Sequence, residues 1–125
     1  MKDKLPKKFK DEWVSALRSG RYPQTDGVLH SDYGYCAIGV GLASAGKIKD
    51  INLFNETQVT GDMIEIYNLP FLDEEDPILE WIIELNDNES YSFNEIADWI
   101  EYNVEGVKWL MNKCCKYYIS LMAMV

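Results

Sequence analysis

A chain of 125 residues that is 47% hydrophobic and 13% aromatic is long enough for one core and too apolar for a disordered polymer. Its formal charge of -9 argues against general binding to a nucleic-acid backbone, because phosphate affinity comes from Lys and Arg displacing counterions. No apolar run reaches the roughly 18 residues of a membrane span, and residues 1–8 carry charges with no apolar stretch behind them; the expectation is one cytoplasmic domain over 1–125, with 1–8 as a flexible basic tail.

The first element in chain order is a helix over Phe9–Ser19, where Phe9, Trp13, Ala16 and Leu17 recur at the spacing of one buried face and Gly20 is placed to end it. Pro23, Asp26 and Gly27, then Ser31-Asp32-Tyr33-Gly34, are turn signals that predict a short β-hairpin over residues 24–35. A Gly-rich buried helix follows from Cys36 to Gly46, with small residues at Ala37, Gly41 and Ala45 that let a neighbouring backbone approach. Ile51–Phe54 reads as a strand, and Thr57 or Thr60 as the cap of a short helix through Tyr67. Leu69–Pro77 is a loop by its prolines and charge run, and Ile78–Leu85 suits either helix or strand. Ser92-Phe93-Asn94-Glu95 fits the capping box, so a helix begins there with Phe93, Ile96, Ala97 and Ile100 on its buried stripe. Val104–Val125 is read as a carboxy-terminal helix whose wide apolar periphery predicts burial in the core or in a homodimer. The fold class expected is therefore α+β.

Charge is placed unevenly along these elements. Residues 1–21 carry seven bases against three acids, whereas Asp50–Glu101 holds fifteen acids and no Lys, Arg or His. That half is either a solvated face or a surface that competes with nucleic acid for a basic partner.

The densest polar cluster is Arg18, Ser19, Arg21, Tyr22, Gln24 and Thr25, at a helix end and turn. Two guanidinium groups can fork onto a phosphate, Tyr22 offers a stacking face and Gln24 offers a donor and an acceptor together, which suits a small nucleotide-like anion. The other reading is that Arg18 and Arg21 pair with acids of the Asp50–Glu101 half while Tyr22 packs. Cys36 opens a helix, where the macrodipole can activate a thiol, and His30 lies six residues earlier; equally, Cys36 is a small buried hydrophobe. The three cysteines, Cys36, Cys114 and Cys115, have neither zinc spacing nor a pairing geometry, and read as reduced thiols. Gly39-Val40-Gly41 lacks the third glycine of a dinucleotide fingerprint. Leu85-Asn86-Asp87-Asn88 lacks the spacing and glycine of a calcium loop and reads as a turn.

Three ordered blocks resemble a family of small proteins encoded by tailed bacteriophages and prophages. They are Trp13-x-x-Ala16-Leu17-Arg18-Ser19-Gly20-x-Tyr22-x-Gln24-x-x-Gly27-x-Leu29, Tyr35-Cys36-x-Ile38-Gly39-Val40, and Leu85-Asn86-Asp87 ahead of Ser92-Phe93-x-Glu95-Ile96-Ala97-Asp98-x-Ile100-Glu101. The family has no assigned function, so the resemblance brings no catalytic residues. It often has a second Cys where Ala37 stands and a basic residue near His30, and both departures weigh against a Cys-His site. What the resemblance implies is a phage accessory protein in the bacterial cytoplasm, and such proteins often counter host defence by sequestering a signal nucleotide or blocking a host protein. The expectation is thus a non-enzymatic binder without cofactor or metal. Arg18 and Arg21 would hold phosphate, Tyr22 would stack, and Gln24 would read base or ribose, beside Ser19 and Thr25. The alternative is an inhibitor whose acidic half occupies a basic, nucleic-acid-binding surface of a host defence protein.

Overall fold

The computed structural model describes residues 3–45 and 48–108. Among the described residues, five helices, α1 (Lys7–Arg18), α2 (Ala37–Ser44), α3 (Gly61–Ile66), α4 (Pro77–Ile83) and α5 (Phe93–Asn103), are joined by two small sheets. One pairs β1 (Asp3–Pro6) in parallel with β4 (Val104–Val107), and the other is the antiparallel hairpin of β2 (His30–Ser31) and β3 (Gly34–Tyr35). The class is α+β, as expected.

The core is built around α1. Phe9, Trp13 and Leu17 are buried along its predicted stripe, and Phe9, Trp13 and Phe71 meet one another edge to face, with ring centroids 5.7–6.2 Å apart. Edge-to-face pairing suits aromatic quadrupoles and adds to the burial of three large side chains. Trp13 also fixes α2. Its indole N–H donates to the Ala37 carbonyl at 2.8 Å, and its ring lies where a Cβ on Gly41 would come within 2.8 Å. A Cβ on Gly39 would sit 1.9 Å from the Leu29 carbonyl oxygen. The glycines of α2 are therefore close-approach positions rather than a phosphate-binding loop.

Several caps follow the sequence. Ser92 and Glu95 complete the capping box of α5, Thr60 accepts from Met63 N to start α3, and Asp76 accepts from Ile78 N ahead of Pro77 at the start of α4. Gly20, at φ 75°, turns the chain out of α1.

Three expectations are corrected. Residues 3–8 are not a tail: Asp3–Pro6 pair with Val104–Val107, Leu5 is fully buried, and Lys7 and Lys8 form the first turn of α1. Val104–Val107 is accordingly a strand rather than the start of a helix; Gly106 lets it run against Lys7, whose Cα would be 3.2 Å from an added Cβ. The rest of the carboxy-terminal segment, on which the homodimer expectation rests, lies outside the described residues. Ile51–Phe54 is a 3-10 turn rather than a strand, because the Asp50 carboxylate accepts from Asn52 N and bends the chain. Ile78–Leu85 resolves as helix: α4 continues through a π-helical turn at Glu84–Asn88.

Candidate functional site

The six residues of the polar cluster are divided between two sides of the fold. Arg18, in the last turn of α1, is held by α5: its guanidinium is 2.7 Å from Asp98 and 3.7 Å from Glu101. Lys10, buried two turns earlier, reaches Glu101 at 3.5 Å. Ser19 is spent locally, donating to the Ala16 carbonyl and accepting from Arg21 N. Arg21 is exposed and has no ion pair among the described residues. Beside Arg18 and Ser19 lies an open depression, but Asp11 and Glu101 also line it and offset the positive charge an anion would need.

The other three residues turn toward the hairpin and the π-helical turn. Tyr22 meets Tyr35 edge to face at 5.1 Å, and Thr25 N donates to the Tyr35 carbonyl. Gln24 spends both amide hydrogens, on Asn86 Oδ1 at 3.1 Å and on the Tyr91 carbonyl at 2.8 Å. Asn86 is the hub of this region. It is 4% exposed, accepts from Gln24 and from the first amide of α2, Ala37 N, and donates to the Thr25 carbonyl and to Asp87. Asp87 accepts in turn from Gly27 N. The π-helical turn thus aims one carboxamide at three segments, and the predicted turn at residues 85–88 proves to be a structural clasp. No group of side chains among the described residues could hold a metal ion.

Next to Asn86 is a crevice of about 30 Å³, lined chiefly by Val28, Leu29, Cys36, Ile38, Val59 and Ile82. That is space for about one water molecule, far short of a nucleobase. Cys36 faces it as a buried group. Burial pushes its thiol up to about 11, against the amides at the start of α2 that would lower it, and its sulfur accepts from Gly39 N at 3.4 Å. The activating influence expected of the helix start is outweighed by desolvation. The His30 ring is engaged by Asn55 and lies against Tyr35.

The surface most unlike its surroundings lies on the acidic half. Twelve of the fifteen acids between Asp50 and Glu101 are exposed, and Asp76 is buried as a helix cap. On the same half, Trp81 and Trp99 meet across α4 and α5 with centroids 6.1 Å apart. Sequence reasoning singled out neither tryptophan. The available signal was periodicity: Ile78, Leu79 and Ile82 claim the buried face of α4, which leaves Trp81 outside it.

No curated protein and no solved structure matches the chain. A family model does match, over residues 5–77, and the chain belongs to that family, described as a domain of unknown function (DUF8296).

Proposed function

We propose that this protein is a non-catalytic binding module that sets its acidic surface against a basic surface of a partner protein. The resemblance to phage-encoded proteins makes that partner a host protein and the compartment the bacterial cytoplasm. The observation that carries the reading is charge segregation: twelve exposed acids fall within a half of the chain that contains no base at all. Such a field steers a cationic partner and disfavours nucleic acid and other polyanions. Catalysis through Cys36 has no support in a buried thiol with a raised pKa and no imidazole partner.

A nucleotide-derived ligand at Arg18 and Arg21 is the second reading carried from the sequence. It requires the Arg18 guanidinium to leave Asp98 and Glu101, and Gln24 to leave Asn86 and Tyr91, before either can contact ligand. Those exchanges reduce the affinity such a site could reach.

The test compares capture of bacterial lysate proteins by the wild type and by a Glu74→Lys/Glu75→Lys/Glu80→Lys variant. The expected result is a basic protein held by the wild type, lost by the variant, and released as salt rises from about 0.1 to 0.5 M. Equal retention by the variant, or retention that ignores salt, overturns the proposal. A nucleotide that raises the melting temperature of the wild type but not of Arg18→Ala decides for the ligand reading instead.

A further inference from the structure

The acidic half carries an aromatic feature that charge alone does not explain. Trp81 is 53% exposed on α4, with Glu80 beside it in sequence and Glu84 one turn further along. Trp99 is half-buried on α5, with Glu95 one turn before it and Tyr102, 76% exposed, one turn after. The two indoles are tilted by 36° with centroids 6.1 Å apart. Trp99 packs partly against the core, and Trp81 lies over it with more than half of its surface open to solvent.

We infer that the Trp81–Trp99 pair is the anchor for an arginine side chain of an arginine-rich segment of the partner. The inference rests on the acidic-surface proposal and adds to it a contact point and a partner chemistry. Tryptophan is the best aromatic acceptor of a cation on its face. A guanidinium is planar and weakly hydrated, so it stacks on an indole while its edge N–H groups fork to a carboxylate, here Glu80, since Glu84 already accepts from Asn88 and Glu95 from Ser92 N. A lysine ammonium is more strongly hydrated and cannot stack and fork together. Nucleobases also stack on tryptophan, but their phosphates would be repelled by this surface.

The test measures fluorescence anisotropy of labelled oligo-arginine and oligo-lysine peptides of equal length, titrated with the full chain at low salt. The arginine peptide is expected to bind about threefold to fivefold more tightly than the lysine peptide. Trp81→Ala should remove that preference and leave the lysine peptide unchanged, while Trp81→Tyr should keep most of it. Circular dichroism identifies a variant that fails to fold, and Trp81→Tyr against wild type then carries the comparison. Equal binding of the two peptides, or an equal loss of both in Trp81→Ala, overturns the arginine anchor while leaving the acidic surface standing. Failure of both peptides to bind at low salt overturns both.

Discussion

Asn86 gives the sharpest test of how this fold is held together. Replacing it with Ala removes four hydrogen bonds, but their costs differ. Gln24 keeps the Tyr91 carbonyl and Asp87 keeps Gly27 N, so those two groups are not orphaned. Ala37 N is the first amide of α2, in a fully buried residue, and Asn86 Oδ1 is its partner at 3.1 Å. Losing that partner exacts the desolvation penalty of a buried donor, about 1–3 kcal/mol. The Thr25 carbonyl belongs to a half-buried residue that water can partly reach, so its loss costs about 0.5–1 kcal/mol. The total is about 1.5–4 kcal/mol, a large share of the roughly 5–15 kcal/mol that stabilises an ordinary domain. For a chain of this length the melting temperature should fall by about 5–15 °C. Asn88→Ala is the control, because Asn88 is exposed and its amide reaches only the Glu84 carboxylate; it should change stability by less than about 0.5 kcal/mol. Urea denaturation followed by far-ultraviolet circular dichroism measures both variants. Equal stabilities for Asn86→Ala and Asn88→Ala would refute the view that the π-helical turn is a clasp.

Gly39→Ala should be more damaging than a usual helix substitution, losing about 3 kcal/mol or failing to fold, since the added methyl meets the Leu29 carbonyl oxygen at 1.9 Å and backbone must move; a soluble variant with wild-type melting temperature would contradict this. Burial raises the Asp76 carboxyl above its ordinary value of 3.8, against the lowering influence of the Leu72 and Ile78 amides it accepts from. A raised folded-state pKa contributes stability that is present below the unfolded value and lost as pH rises through the folded one, so the advantage of wild type over Asp76→Asn should narrow from acid toward neutral pH. An advantage that widens over that range would reverse the sign. Cys36, with its thiol near 11, should resist iodoacetamide in the native protein at neutral pH and react only in denaturant; site-resolved mass spectrometry reads this, and rapid native labelling of Cys36 would contradict it.

Local signals were legible in the sequence because they close over a few residues. The Ser92–Glu95 capping box and the buried stripe of α1 each depend on neighbours within two turns and formed where the residue types placed them, and of the two threonines that could cap α3, Thr57 and Thr60, it is Thr60 that does. The failures lie where a distant partner decides. Val104–Val107 has the β-branched ends of a strand, but its partner is Asp3–Pro6 at the other end of the chain. Nothing near Leu5 announces that pairing. Asn86 was legible as a polar residue in a turn and illegible as a hub, because its partners lie at Gln24, Thr25 and Ala37. The same distance misleads about Arg18 and Gln24, whose side chains suit a phosphate and a base until Asp98, Glu101, Asn86 and Tyr91 are brought against them.

The charge pattern acquires a different meaning once the chain is folded. α1 and α5 run together, and the bases that face that seam, Lys10 and Arg18, are taken up by Asp98 and Glu101. Part of the positive amino-terminal balance is thereby offset inside the fold. The Arg18 pairs are largely exposed and add little stability, so the seam must be held chiefly by its packing, with the ion pairs setting register. The acids of the loop at Asp73–Glu75 and Glu80 are exposed to solvent. Placing twelve exposed acids in a stretch of chain without a base opposes compaction, whereas mixing in a few lysines would relieve the repulsion at no cost to solubility. Such an arrangement is understandable if a cationic surface completes it, and the exposed Trp81, next to Glu80 in the chain, then supplies the apolar contact that long-range charge cannot.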